Sequence, residues 1–231
     1  MPSVLITGAN RGLGLEFTTQ YLSANWQVYA ACRHPESAEA LQALARARKD
    51  RIEILALDVT RAPTIAQAAA ALQGRTIDVL LNGAGIIGKP GQRTGSVDYT
   101  NWAQVLDVNT MGPLRVTEAF LENVARSDRK LVVTITSGLG SLADNTSAGA
   151  IPYRSSKVAV NMVMRSVAID LAERGIASVV VNPGWVRTDM GGANATLTPA
   201  ESVSALRKLI ETLGMQQSGK FFNYDGREYP W

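Results

Sequence analysis

The sequence contains very little cysteine and histidine: among its 231 residues there is one of each, Cys32 and His34. A single cysteine cannot form a disulfide within the chain, and zinc clusters need several cysteine or histidine ligands. The sequence therefore predicts neither an internal disulfide nor a metal site.

Long apolar runs and concentrated charge are also missing. No apolar run approaches the ~20 residues needed to cross a bilayer, and the N-terminus lacks the charged-then-apolar pattern of a signal peptide. The 23 basic and 20 acidic residues leave a formal net charge of +3, and no basic stripe with interleaved aromatic residues is present. These absences predict a cytoplasmic protein with no membrane partner and no nucleic-acid partner.

The sequence does contain an alternation of apolar, strand-like runs with helical patterns. We predict strands over residues 3–7, 26–32, 52–58, 77–82, 130–136, 176–182 and 219–222. The helical patterns lie near residues 12–23, 36–48, 63–73, 99–126, 152–174 and 199–213. Such alternation is typical of right-handed βαβ crossovers, so the predicted fold class is α/β, a Rossmann-type, doubly wound parallel sheet of about seven strands with helices on both faces.

A glycine-rich turn follows the first predicted strand. Gly8, Gly12 and Gly14 stand between the apolar run at residues 4–7 and a helical pattern. Glycines allow a tight turn and a close approach of backbone to phosphate, while the free amides and the dipole of a helix N-terminus favour an anion. The turn therefore predicts a pyrophosphate site, with a plain βα turn as the alternative. Its spacing is Gly-x-x-x-Gly-x-Gly, which differs from the common Gly-x-Gly-x-x-Gly fingerprint.

Tyr153 and Lys157 are four residues apart in a helical pattern. Residues i and i+4 share one helical face, about 6 Å apart along the axis. A cation close to a phenol favours the phenolate and lowers the phenol pKa from ~10, so we expect Lys157 to make Tyr153 a general acid or base near neutral pH. Taken alone, the pair is equally an ordinary helical pair with a solvated lysine.

An ordered set of further motifs favours the catalytic interpretation. The set is Thr7-Gly8-x-x-x-Gly12-x-Gly14, Asp58-Val59, Asn82-Gly83-Ala84-Gly85, Asn109, Ser137, Tyr153-x-x-x-Lys157 and Pro183-Gly184. In order and spacing it resembles the short-chain dehydrogenase/reductase family over residues 2–190, most of the chain. Shorter stretches at 136–141, 183–190 and 219–226 resemble the sniffer-type carbonyl reductases and the related C-signal proteins.

The resemblance implies a nicotinamide cofactor, and the charges after the second strand indicate which one. NAD-specific enzymes have an acidic residue there, which binds the ribose 2′-hydroxyl and would repel a 2′-phosphate. This chain has Arg33 instead, with no carboxylate before Glu36, and Arg11 in the glycine turn is a second cation. Guanidinium groups pair with phosphate oxygens, so we predict NADP(H). For Arg33 alone, a solvated strand-end residue is the alternative.

Other cofactor contacts follow from the same resemblance. Asp58 and Val59 are expected beside the adenine, and residues 82–85 beside the adenosine ribose, although the family usually has a second asparagine where this chain has Gly83. Residues 183–188 are expected to cover the nicotinamide amide and the diphosphate. The predicted cofactor-binding residues are Gly8, Asn10, Arg11, Gly12, Leu13, Gly14, Arg33, Asp58, Val59, Asn82, Gly83, Ala84, Gly85, Tyr153, Lys157, Pro183, Gly184, Val186 and Thr188.

The resemblance also implies a catalytic set of Ser137, Tyr153, Lys157 and Asn109. The serine would hydrogen-bond the substrate oxygen, the tyrosine would exchange a proton with it, and the lysine would also hold the nicotinamide ribose. Asn109 resembles the fourth residue of the family's catalytic set, an asparagine that holds a water linking the lysine, here Lys157, to solvent. The alternative is an asparagine whose side-chain amide is satisfied by backbone within its own helix. Two hydroxyl residues are close rivals of the serine, Thr136 and Ser141.

The predicted function is hydride transfer between NADP(H) and an uncharged carbonyl or alcohol substrate, in the direction of carbonyl reduction. Few charges occur in the segments expected to line the substrate pocket, residues 86–94, 139–150 and 185–197. An NADP(H)-binding signalling or regulatory protein with little turnover is the alternative. A nucleotide-sugar epimerase or dehydratase is a third candidate, which the short C-terminal part disfavours.

The length suits one domain. We expect residues 1–231 to form a single dinucleotide-binding catalytic domain, with a short substrate-covering segment near residues 190–213. The resemblance implies a homodimer or homotetramer that pairs through the helices at 99–126 and 152–174.

Overall fold

A seven-stranded sheet forms the centre of the computed structural model, which describes all residues from 1 to 231. Its spatial order is β3-β2-β1-β4-β5-β6-β7, and every neighbouring pair of strands is parallel. The predicted doubly wound α/β fold is confirmed. The strands are β1 (Ser3–Thr7), β2 (Gln27–Cys32), β3 (Ile52–Ala56), β4 (Val79–Asn82), β5 (Leu131–Ile135), β6 (Ala177–Asn182) and β7 (Phe221–Asn223).

Helices cover both faces of the sheet. They are α1 (Gly12–Ser23), α2 (Glu39–Ala47), α3 (Ala62–Ala71), α4 (Tyr99–Leu106), α5 (Gly112–Ala119), α6 (Leu121–Ala125), α7 (Ile151–Asp170) and α8 (Pro199–Thr212). Successive strand residues point to opposite faces. Val4 and Ile6 therefore pack with α1, α2 and α8, whereas Leu5 packs with α3, α5, α6 and α7. No helix combines the length and the apolarity that a bilayer span requires.

The single helix predicted over residues 99–126 is wrong, because the chain forms three helices there. A π-helical turn over Asp107–Met111 separates α4 from α5. Pro113 has no amide proton, so the Asn109 carbonyl cannot accept the usual i→i+4 bond from it. Gly112 packs closely on another element, since a Cβ at this position would lie 2.8 Å from Val59 Cγ2. The break holds Asn109 at the end of α4, facing the site described below.

The order of the strands creates a crevice at their carboxyl ends. From β1 the chain runs outward to β2 and β3, then returns to pair β4 with the other side of β1. Ligands of doubly wound sheets bind at such a switch point. Thr7 ties the two sides together, because its hydroxyl accepts hydrogen bonds from Gly83 N at 3.0 Å and Ala84 N at 3.2 Å. Every motif singled out in the sequence lies at this edge.

Candidate active site

The glycine turn after β1 is packed too closely to admit side chains. A Cβ on Gly14 would lie 2.2 Å from the Gly8 carbonyl oxygen, and one on Gly8 would lie 2.9 Å from Ala84 Cα. Gly8 also has a φ of +73°, a left-handed value that favours glycine. Helix α1 begins at Gly12, and no side chain caps its first turn. The amides of that turn are therefore free to bind an anion.

These residues fit a dinucleotide. The turn offers a smooth backbone surface and an uncapped helix N-terminus for a diphosphate. On the far side of the crevice, a Cβ on Gly85 would come within 3.3 Å of Asn109 Oδ1 and 3.7 Å of Lys157 Nζ. Glycine at position 85 therefore keeps open the space that these two polar side chains face.

Arg33 and Arg11, the two predicted phosphate-binding cations, have different surroundings. Arg33 is exposed and takes part in none of the ion pairs. Burial raises the pKa of the Asp58 carboxyl, but hydrogen bonds from Thr60 and the charges of Arg33 and Arg61 outweigh burial and lower it. Arg33 therefore lies near Asp58, as the predicted adenosine site requires.

Arg11 is already paired in the cofactor-free protein. Its Nη1 lies 3.1 Å from Asp189 Oδ2, and the two side chains are 62% and 81% exposed. The partners are 178 residues apart, so no local pattern could have revealed the pair. An exposed ion pair of this kind contributes about 0–1 kcal/mol, which leaves Arg11 able to exchange partners.

Ser137 and Tyr153 meet at the carboxyl end of β5. Ser137 lies two residues beyond the strand and begins a 3₁₀ turn over Gly138–Gly140. Tyr153 lies in the first turn of α7, is 7% exposed, and has Ser137 near enough for the serine hydroxyl to lower its pKa. The structure thus places these two predicted residues beside each other, with Lys157 on the next turn of the same helix.

The two rival hydroxyls are engaged elsewhere. Thr136 is buried, and its hydroxyl donates to the Lys157 carbonyl oxygen at 3.4 Å. Ser141 is also buried and donates to the Trp231 carbonyl oxygen at 3.1 Å. Of the three hydroxyls considered from the sequence, Ser137 is therefore the one that is free of buried partners and lowers the pKa of Tyr153.

Burial dominates the pKa values of the tyrosine and the lysine. It lowers the pKa of Lys157 to about 8, and the ammonium donates to the Ile135 carbonyl oxygen at 3.0 Å. Burial raises the pKa of Tyr153, and the Ser137 hydrogen bond offsets this only in part. The Lys157 Nζ lies 5.6 Å from the centre of the Tyr153 ring. The prediction that Lys157 lowers the pKa of Tyr153 was wrong for the cofactor-free protein, because the cost of burying the phenolate is larger.

The side-chain amide of Asn109 uses both of its N–H donors and one of the two lone pairs of its oxygen. Its Oδ1 accepts from Ile86 N at 2.9 Å, and its Nδ2 donates to Ile86 O at 2.8 Å and to Ser156 Oγ at 3.0 Å. Asn109 therefore joins the loop after β4 to α7. Its side chain also faces Gly85 together with Lys157.

The loop after β6 lies beside the glycine turn. Gly184 has a φ of +78°, and a Cβ on Gly12 would lie 3.5 Å from Thr188 Cγ2. Asn182, which the sequence interpretation missed, accepts from Gly138 N at 2.9 Å and from Gly184 N at 3.2 Å. A polar residue at the end of a buried strand was the available signal. Asn182 thus joins this loop to the turn that begins at Ser137.

The end of the chain supports the loop beyond Ser137, which no local motif could have indicated. The Trp231 carbonyl oxygen accepts from Leu142 N at 3.0 Å and Ala143 N at 2.9 Å. Tyr229 donates to Asp144 Oδ2 at 2.8 Å. The substrate-covering segment was predicted near residues 190–213. Helix α8, which forms most of that range, packs into the core, so only residues 190–198 of the predicted segment lie outside a core helix.

Comparison with known proteins agrees with this geometry. The model of the short chain dehydrogenase family matches residues 2–197. C-signal of Myxococcus xanthus is 45% identical over 155 residues, which cover 67% of this chain and 93% of that protein. The carbonyl reductase Sniffer of D. melanogaster superposes with a TM-score of 0.94 at 33% identity, over 100% of both chains. An NADPH-bound carbonyl reductase from chicken fatty liver superposes with a TM-score of 0.93 at 34% identity, over 100% of this chain and 99% of that one.

Proposed function

We propose that this chain, which belongs to the short-chain dehydrogenase family, is an NADP(H)-dependent oxidoreductase that reduces the carbonyl group of a small molecule to an alcohol. The proposal rests on the buried pair of Tyr153 and Lys157, one helical turn apart on α7, with Ser137 near enough to lower the tyrosine pKa. Burying an ammonium beside a phenol costs stability. A purely structural core would have no use for that arrangement, whereas a proton relay requires it.

NADP(H) supplies the hydride when it is bound. Gly8, Gly14 and the uncapped start of α1 would hold its diphosphate, and Arg33 with Arg11 would pair with the 2′-phosphate. Asp58 and its neighbour Val59 would contact the adenine. The similarity to an NADPH-bound carbonyl reductase supports this choice of cofactor.

Tyr153 is the proposed proton donor. Because burial raises its pKa, the phenol stays protonated at neutral pH, as reduction requires. The carbonyl oxygen becomes basic as its carbon accepts hydride, and it then takes the phenolic proton. Ser137 would hold the substrate oxygen by a hydrogen bond. This would orient the carbonyl both for proton transfer from Tyr153 to its oxygen and for hydride transfer to its carbon.

Lys157 has two proposed tasks. With a pKa of about 8 it is mostly charged at pH 7, so it can stabilise the phenolate that Tyr153 becomes after it has given up its proton. Only one of its three protons is used, by the Ile135 carbonyl. The others remain for the nicotinamide ribose, in the space that Gly85 leaves open. Asn109 would hold this end of the site together and bind a water that connects Lys157 to solvent.

The test is an NADPH oxidation assay with a panel of aldehydes, ketones and quinones. Tyr153→Phe should abolish turnover and leave NADPH affinity nearly unchanged, because the hydroxyl acts on the substrate while the ring still packs. Tyr99→Phe is the matched control, since Tyr99 is 74% exposed and makes no side-chain hydrogen bond. Turnover of Tyr153→Phe at the wild-type rate would show that Tyr153 is not the proton donor.

A second candidate is a regulatory protein that binds NADP(H) and turns over little. The 45% identity to a protein named C-signal favours it. A signalling role of this kind needs the cofactor site but not the proton relay. Wild-type protein that binds NADPH and reduces none of the panel would favour this candidate over the enzyme.

We propose further that residues 1–231 are one catalytic domain and that two copies pair as a homodimer, with a homotetramer as the alternative. Helix α7 exposes Met162 and Ile169, which are 66% and 70% exposed and, being seven residues apart, lie on one face of the helix. Apolar side chains on one surface are typical of a subunit contact. Light scattering of the purified protein measures the assembly directly.

A further inference from the structure

A cavity of about 500 Å³ adjoins the proposed catalytic residues without being part of the cofactor crevice. It lies between residues 93–94, the loop at 139–149 and the first turns of α7. Leu139, in its wall, is two residues beyond Ser137. Arg154, also in its wall, directly follows Tyr153 in α7. The cavity therefore borders the segments that carry Ser137 and Tyr153, although neither of these side chains lines it.

Both charged side chains that line the cavity are arginines, Arg93 and Arg154, and no acidic residue lines it. Neither arginine takes part in an ion pair. Asp144 belongs to the same loop, but it accepts from Tyr229 and does not line the cavity. The positive charge of the cavity is therefore not compensated by the protein.

Arg154 is held in place with part of its hydrogen-bonding capacity unused. Its Nη1 donates to Asn145 Oδ1 at 2.9 Å, and its Nη2 donates to Ser147 Oγ at 2.6 Å. Both partners are neutral, and the buried Nε has no partner. A guanidinium with five donors that is partly buried without an anion is an incomplete arrangement. A planar anion would complete it, because its two oxygens match the guanidinium fork.

The rest of the wall combines apolar and neutral polar residues. The apolar ones are Leu139, Leu142, Ala148, Ile151 and Val158, and the polar ones are Thr94, Ser141, Asn145, Ser147 and Ser155. Such a surface takes a hydrocarbon body, and the arginines take a charge at its end.

We infer that the substrate is a carbonyl compound with a carboxylate at the far end of an apolar body, and that Arg154 and Arg93 bind that carboxylate. This inference rests on the proposed carbonyl reduction. It replaces the uncharged substrate predicted from the sequence. That prediction counted charges within loop segments, and Arg154 lies outside them on α7, where only the tertiary structure turns it toward the loop.

The test compares paired substrates. Unbranched aldehydes that end in a carboxylate, in a series of increasing length, are reduced with NADPH beside their methyl esters. In the wild type, we expect kcat/KM for the best acid to exceed that of its ester by about tenfold or more. Arg154→Gln should lower kcat/KM for the acids by roughly tenfold to hundredfold, mainly through KM, and leave the esters within about twofold.

Three further variants control this result. Arg93→Gln should lower kcat/KM for the acids and not for the esters, and it leaves α7 unaltered. Arg154→Lys should keep part of the preference for acids over esters because it keeps the positive charge. Arg126→Gln makes the same change of charge at an exposed position outside the cavity. It should leave kcat/KM unchanged for both the acids and the esters.

Three outcomes would overturn the inference. They are a wild type that does not distinguish acids from esters, an Arg154→Gln variant that slows both equally, and an Arg126→Gln variant with the same effect as Arg154→Gln. If the esters are reduced well in these cases, carbonyl reduction stands and only the carboxylate site is lost. If the wild type reduces neither acids nor esters, both the site and the proposed function are rejected.

Discussion

Replacing Lys157 by methionine should stabilise the cofactor-free protein while it destroys turnover. Lys157 is 5% exposed, and burial lowers its pKa from 10.5 to about 8. At about 1.4 kcal/mol per pKa unit, keeping the ammonium charged at pH 7 costs about 3 kcal/mol. Methionine has a similar length and no charge, so it removes that cost. It also loses the hydrogen bond to the Ile135 carbonyl, worth about 1 kcal/mol, which leaves a net gain of about 2 kcal/mol.

The pH dependence identifies the lysine charge as the cause. Below pH 8 the lysine is protonated in both the folded and the unfolded chain, so the penalty is present in full. Between about 8 and 10.5 the folded chain has lost the proton and the unfolded chain still holds it, so the wild type gains stability as pH rises. The advantage of Lys157→Met should therefore shrink by about 2 kcal/mol between pH 7 and pH 9.5. Tyr153, the nearest titratable neighbour, stays protonated over this range because burial raises its pKa, and groups far from Lys157 titrate alike in both proteins and cancel in the difference.

Guanidinium unfolding followed by tryptophan fluorescence, without cofactor, measures both quantities. The matched control is Lys208→Met, because Lys208 is an exposed lysine on α8 without an ion pair. Its effect should stay within about 0.5 kcal/mol at either pH. A Lys157→Met protein that is less stable than the wild type at pH 7, or a difference that does not change with pH, would refute the reasoning.

The remaining predictions concern the cofactor and the serine. Changing Arg11 and Arg33 together to alanine should weaken NADPH binding at least tenfold, about 1.4 kcal/mol, and leave NADH binding little changed, as measured by fluorescence titration. If the ratio of NADPH affinity to NADH affinity is unaltered, Arg33 is a solvated strand-end residue and does not bind the 2′-phosphate. Ser137→Ala should lower kcat by about a hundredfold or more without loss of stability. Ser141→Ala should leave kcat within a few-fold and cost about 1 kcal/mol in unfolding, because its hydroxyl bonds Trp231. The reverse pattern in kcat would make Ser141 the catalytic serine.

Much of the fold could be predicted because its signals are local. The buried strands of a parallel sheet are continuous apolar runs, such as residues 177–182 of β6. The glycine turn was recognisable for the same reason, since Gly8 and Gly14 lie within one short segment. The helix break at Asp107–Met111 was missed, although Gly112 and Pro113 stand there. It depends on how closely Gly112 approaches Val59, a contact between distant segments.

The proximity of the proposed site residues could be predicted in part, and their pKa values could not. The spacing of Tyr153 and Lys157 places both on one face of a helix, so their proximity follows from the sequence. The direction of the Tyr153 pKa does not, because it depends on how much protein surrounds the phenol. The same holds for Arg11, whose partner Asp189 lies 178 residues away.

The sequence by itself therefore determined the order of the strands, the glycine turn and the spacing of Tyr153 and Lys157 on one helix, because each depends on residues that are close along the chain. The tertiary structure decided which hydroxyl affects the pKa of Tyr153, which charges are buried, and that Arg93 and Arg154 line one cavity. These properties depend on distances and on exclusion of water. Both arise only when the carboxyl ends of the strands, α7 and the end of the chain are packed together.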